Sequence, residues 1–117
     1  MNTRTKGNTG EDLATDFLVK NGFTILARNY AISRNFQGGE IDIIALKNDV
    51  IHFVEVKSRN TDTHGTGAES VGFHKQKNIR KIATHYLVTN RLYDEVNVSL
   101  DIIEVQNGEC DHIENCF

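Results

Sequence analysis

The sequence predicts an α/β domain: a central mixed sheet flanked by helices, in the order α-β-β-β-α-β. Three observations carry that expectation. Helix-periodic segments lie on either side of a block of strands. Two apolar runs, 41–46 and 50–57, meet at a short Lys47-Asn48-Asp49 turn, as in a β-hairpin. Both faces of those runs are largely apolar, the pattern of a sheet covered on both sides.

The first element is expected to be a helix capped by Asn8 or Thr9. Glu11 and Asp12 then fall in its first turn, where the helix dipole favours negative charge. Leu13, Ala14, Phe17 and Leu18 supply its apolar face, and Asn21-Gly22 ends it in a left-handed cap. Residues 23–30 read as a strand, and the polar stretch 31–40 leads through Gly38-Gly39 into the hairpin. After the hairpin, residues 58–71 are rich in Thr, Gly, Asn and Asp and are expected to be a long, mobile, functional loop. A second helix is expected from about Phe73 to Asn90, with a stripe of Ile79, Ile82, Ala83, Tyr86 and Leu87. A last strand covers about residues 96–105, and 107–117 form a short edge strand or a flexible tail.

The chain of 117 residues suits one domain, with its core at about residues 8–106. A net charge of −3 argues against a non-specific nucleic-acid coat protein. It is compatible with an enzyme whose carboxylates hold a metal, because the ion reverses their local field. No apolar run reaches the ~18–20 residues of a membrane span, and the polar start, Met1 to Lys6, lacks the apolar stretch of a signal peptide. A soluble cytoplasmic protein is the expectation. Cys110 and Cys116 match no zinc spacing and read as thiols without a role.

The hairpin carries the chemistry. Pairing Leu46 with Ile51 and Ile44 with Phe53 sets Asp42 opposite Glu55 at the open end. Directly opposed residues have Cβ atoms about 4.5–5.5 Å apart, and like charges there destabilise a sheet. A shared divalent cation offsets the repulsion, and oxygen ligands suit Mg²⁺ or Mn²⁺. Lys57 shares the face of Glu55, two residues further on, beside such an ion. The alternative for these residues is a hydrogen-bonded strand start and an ordinary ion pair.

Gly39-Glu40-Ile41-Asp42 followed by Phe53-Val54-Glu55-Val56-Lys57-Ser58-Arg59 resembles the PD-(D/E)xK, or restriction-endonuclease-like, superfamily. Within it the chain looks like the YraN-type family of presumed endonucleases, which are similar to archaeal Holliday junction resolvases. Gly10-Glu11 with Ala14, Arg28-Asn29, Lys75 followed by Arg80, Lys81, Ala83 and Tyr86-Leu87, and Asp101-Ile102-Ile103 extend the resemblance over residues 10–105. It implies metal ligands at Glu11, Asp42 and Glu55, with Val56 contributing only a backbone carbonyl. It implies that Asp42, Glu55 and Lys57 are the catalytic residues and that the fold is restriction-endonuclease-like.

The expected reaction is therefore Mg²⁺- or Mn²⁺-dependent hydrolysis of phosphodiester bonds in DNA, including branched or junction DNA. Lys75, Lys77, Arg80 and Lys81 would hold flanking phosphates, with Gln76 near the site. The alternative for these cations is the solvated face of a surface helix. His74 reads as a surface residue, His52 as a core or helix-packed residue on the face opposite Glu55, and His64 is assigned no role. A homodimer would suit the cutting of two strands. The competing class is a nucleic-acid-binding or protein-interaction module that keeps a nuclease-like fold without useful catalysis.

Overall fold

The computed structural model describes residues 4–58 and 72–117, with side chains from residue 10 onward. The expected loop at 58–71, with His64 in it, lies outside the described residues apart from Ser58. The order is α1 (Arg4–Lys20), β1 (Thr24–Tyr30), β2 (Ile41–Lys47), β3 (Val50–Ser58), α2 (Phe73–Thr89), β4 (Asn97–Gln106) and β5 (Glu109–Ile113). The strands form one five-stranded sheet in the order β1-β2-β3-β4-β5. β3 and β4 are parallel and the other neighbours antiparallel, so the sheet is mixed, with α2 in the crossover between the parallel strands.

Two differences from expectation stand out. The chain order gains a fifth strand, because the segment after residue 106 pairs with β4 and does not fray. Asn107 and Gly108 both have positive φ and turn the chain between these strands. The C-terminal residues are tied down as well, since the Cys116 amide donates to the Leu100 carbonyl at 2.8 Å.

The second difference is the start of α1. The helix begins at Arg4, so Asn8 and Thr9 lie inside it and Glu11 is not in its first turn. A cap contributes about 1 kcal/mol, which propagation of the backbone ladder over a further turn can outweigh. The other end is as expected. The Phe23 amide donates to the Leu18 carbonyl at 3.0 Å, the Gly22 amide to the Val19 carbonyl at 3.1 Å, and Gly22 takes a φ of +92°. This is a Schellman motif, whose left-handed residue is normally glycine.

The helices cover opposite faces of the sheet. Ala14, Leu18 and Phe23 pack with Ile43, Ala45, Val54, Ile103 and Val105 on the α1 side. Ile79, Ile82, Ala83 and Leu87 pack with Ile44, Ile51, Phe53 and Ile102 on the α2 side. Each fully buried aliphatic side chain of this kind contributes about 1.5–3 kcal/mol by leaving water. Asn48 and Asp49, both at positive φ, form the two-residue β2–β3 turn. That turn fixes the register, and the register fixes where the polar residues of these strands fall. No helix among the described residues is long and apolar enough to cross a membrane.

Candidate metal centre

The β2–β3 ladder runs from Lys47↔Val50 through Leu46↔Ile51 and Ile44↔Phe53 to Ile43↔Val54. One step further along that register Asp42 would stand opposite Glu55, and the charge of Glu55 does reach the Asp42 carboxyl. Main-chain pairing stops there, and the Asp42 side chain takes over: the Val56 amide donates to Asp42 Oδ2 at 2.8 Å. This contact involves the amide of Val56, whereas the resemblance implies a role for its carbonyl. Gly39, at φ +89°, supplies the left-handed bend before Glu40 that aims the chain into β2.

Glu55 is 4% exposed. Its Oε2 lies 2.5 Å from Lys75 Nζ on α2, while Oε1 is buried with no hydrogen-bond partner among the described residues. A buried carboxylate oxygen left unpaired is costly. The electrostatics of Asp42 match this picture. Burial, then the charge of Glu55, then that of Glu11 push its carboxyl up from 3.8 to about 7, against the opposing pull of the Val56 amide and Lys75. For Lys75, burial alone would lower the ammonium pKa. The hydrogen bond and charge of Glu55, with the charge of Asp42, outweigh burial and hold it above its ordinary value.

Glu11 comes close enough to raise the Asp42 carboxyl, but its own contacts lie toward β1. Its Oε1 sits 3.5 Å from Arg28 Nη2 and accepts from Asn29 Nδ2 at 3.1 Å. Asn29, at φ +53°, also donates to Glu40 Oε2 at 2.9 Å, and Asp12 pairs with Arg28 at 3.1 Å. Gly10 brings α1 against the end of β3: a Cβ added there would meet the Ser58 hydroxyl. Thus Asp42 and Glu55 come together, whereas the oxygens of Glu11, Asp42 and Glu55 do not all draw within 4.8 Å of one another.

Lys57 is half-buried, on the Glu55 side of β3 by strand alternation, opposite Glu104 in the parallel β3–β4 register. On α2, Lys77, Arg80 and Lys81 are exposed and Gln76 is half-buried. Lys75 differs from the other cations of this helix in that its ammonium is committed to Glu55.

A second polar cluster, on the opposite face of the sheet, escaped sequence reasoning. Asp101 is fully buried on β4. Its Oδ2 lies 2.6 Å from His52 Nδ1 and 2.7 Å from His112 Nε2. Its Oδ1 accepts from the Ser99 hydroxyl at 2.5 Å and the Asn115 amide at 3.0 Å. Burial alone would raise the Asp101 pKa, but the hydrogen bonds from His112, His52, Asn115 and Ser99 outweigh it and hold the carboxyl well below its ordinary value. An ionised carboxylate only accepts, so both imidazole nitrogens facing it carry protons. His52 does lie on the face opposite Glu55, as expected, with its ring 4.9 Å from that of Phe23. The missed signal was Ser99 and Asp101 sharing one face of β4 beside His52, with the apolar Leu100 and Ile102 on the other.

Comparison with known proteins bears on the whole chain. Residues 10–105 match the model of the Uncharacterised protein family UPF0102. The chain is 44% identical over 116 residues to a UPF0102 protein of Alkaliphilus oremlandii, covering 95% of this chain and 96% of the relative. It is 42% identical over 119 residues to one of Clostridioides difficile, with both chains covered completely. A UPF0102 protein of Dictyoglomus turgidum is 41% identical over 122 residues, again end to end. The chain belongs to the family UPF0102.

Proposed function

We propose that this protein is a metal-dependent endonuclease of the restriction-endonuclease-like superfamily, hydrolysing phosphodiester bonds in DNA, with branched or junction DNA among the substrates to be tested. The observation that carries the reading is the meeting of Asp42 and Glu55 at the open end of the hairpin, with Glu55 Oε1 buried and unpartnered among the described residues. Two carboxylates forced together, one held partly neutral and one with a vacant oxygen, fit a hard divalent cation. Asp42 and Glu55 would hold Mg²⁺ or Mn²⁺, with Glu11 and the Val56 carbonyl as the further ligands that the family resemblance implies. The bound ion would supply Lewis-acid polarisation of a phosphoryl oxygen.

The chain's own residues supply the rest. Lys57, on the Glu55 side of β3, orients the attacking water and offsets charge on the phosphoryl group. Lys77, Arg80 and Lys81 present exposed cations to flanking phosphates on the same side of the sheet as Glu55. Lys75 neutralises Glu55 and would give way to a divalent cation there. A homodimer would place two such sites on the two strands of a duplex or junction.

The Lys75–Glu55 pair also favours a second reading, in which the site is neutralised from within and the domain binds nucleic acid without cleaving it. One experiment separates the two. Labelled linear, single-stranded, flap and four-way-junction DNA are incubated with the protein and Mg²⁺ or Mn²⁺, with Lys57→Ala as control. Cleavage that requires the metal and disappears in Lys57→Ala supports the nuclease. Binding without cleavage on every substrate supports the second reading.

A further inference from the structure

We propose that His52, Asp101 and His112 form a binding site for one Zn²⁺ ion, on the face of the sheet opposite Asp42 and Glu55 and independent of them. Among the described residues, this is the one set of three side chains whose metal-ligating atoms all lie within 4.8 Å of one another. Two imidazoles and a carboxylate are a donor set that suits Zn²⁺ and similar borderline ions, not Mg²⁺.

Three features go beyond proximity. First, Asp101 is fully buried, and among the described residues its ion-pair partners are the two imidazoles. A buried ionised carboxylate needs such partners, and a divalent cation would serve it in place of the protons they share. The neighbouring ammonium of Lys47 is engaged elsewhere, donating to the Asn21 carbonyl at 2.7 Å and lying over the Phe23 ring.

Second, the carboxylate is already oriented as a ligand. Ser99 and the Asn115 amide occupy Oδ1 and leave Oδ2 facing both rings, the outer-shell support that metal-bound carboxylates receive. Third, there is a way in. An open cavity of about 640 Å³ is lined by His52, His112, Ser99 and Asn115, with Lys47 and Glu114 at its wall. The cavity gives a cation from solvent access to both imidazoles.

The present spacings are those of hydrogen bonds. Zinc–nitrogen and zinc–oxygen distances of about 2.0–2.2 Å place tetrahedral neighbours roughly 3.3 Å apart. Zn²⁺ therefore widens the 2.6 Å and 2.7 Å contacts and replaces the protons between them. Each displaced proton moves to the other ring nitrogen or to solvent. The adjustment falls on His112, which stands on the short edge strand β5, hydrogen-bonded to β4 alone.

The test is calorimetric titration of the full chain with Zn²⁺, paired with the visible spectrum of the Co²⁺-loaded protein. Asp42→Asn, in which the carboxylate pair no longer competes for Zn²⁺ or Co²⁺, is expected to bind one equivalent, with a tetrahedral Co²⁺ spectrum. Adding His112→Gln to Asp42→Asn is expected to weaken binding by about 10–100-fold, the scale of a damaged metal site, and to lose that spectrum. His112 stands on the edge strand β5, and far-ultraviolet circular dichroism checks that its replacement leaves the fold intact. His52→Asn should act in the same direction; if it does not fold, His112→Gln decides. Absence of Zn²⁺ binding by Asp42→Asn, or unchanged affinity when His112→Gln is added to it, would each overturn the proposal. None of these results depends on nuclease activity.

Discussion

Lys75 Nζ lies 2.5 Å from Glu55 Oε2, so an α2 cation stands beside the carboxylate pair that a divalent metal would serve. The pair is half in water, with the Lys75 side chain 46% exposed, which weakens it by screening. Lys75→Met should lower the melting temperature of the metal-free protein, because Glu55 then stays buried beside Asp42 without compensation. The same variant should bind Mn²⁺ about three- to tenfold more tightly, since no ammonium competes for Glu55. Thermal melts with and without Mn²⁺ read both effects. A variant that loses Mn²⁺ affinity would show that Lys75 assists the metal.

Asp42 gives the metal-free protein a pH dependence of unusual sign. Its carboxyl is raised from 3.8 to about 7 in the folded chain, first by burial and then by Glu55. Its contribution to stability is fully present below pH 3.8 and is lost as pH rises through about 7, because the folded state binds the proton more tightly. Wild type without metal should therefore lose stability from this group between about pH 4 and pH 7, and Asp42→Asn should flatten that part of the profile. Each 1 kcal/mol appears as a shift of about 4 °C in the melting temperature. Mn²⁺ should remove the decline in wild type and leave Asp42→Asn unchanged.

Lys57 can be separated from the metal ligands by kinetics. Lys57→Ala should cut the cleavage rate by about 100-fold or more, the scale of a lost electrostatic or positioning group, while Mn²⁺ affinity stays within about threefold. Single-turnover cleavage and calorimetry measure the two quantities separately. Equal losses in both would make Lys57 a support of the metal site.

Gly22 tests the fold without touching either site. At φ +92° a side chain is strained, so Gly22→Ala should destabilise the protein by about 1–2 kcal/mol in urea unfolding. Mn²⁺ affinity should not change.

Much of this arrangement was legible in the sequence, for identifiable reasons. The Asn48-Asp49 turn and the apolar pairs Ile44–Phe53 and Leu46–Ile51 fix the register, and strand alternation then brings Asp42 to Glu55. The end of α1 was legible because a Schellman motif is written in local residues, here Asn21-Gly22. Its start was not, because a polar helix entry carries little more than a weak capping preference.

The network around Asp101 was illegible for another reason. His52, Asp101 and His112 come from three strands, and the local pattern of residues 107–117 does not distinguish an edge strand from a tail. Nor does local pattern show that Glu11 leans toward Arg28 and Asn29 or that Lys75 reaches back to Glu55. Both depend on how a helix docks, which strand periodicity does not contain.

The central claim is that Asp42 and Glu55 jointly hold a catalytic divalent cation. Calorimetric titration of the full chain with Mn²⁺ at pH 7.5, repeated on Asp42→Asn and Glu55→Gln, tests it most directly. One Mn²⁺ site in wild type, weakened by about 10–100-fold in each variant and untouched in His112→Gln, is the predicted result. Mn²⁺ binding that survives both carboxylate substitutions, or no binding by wild type at all, would contradict it.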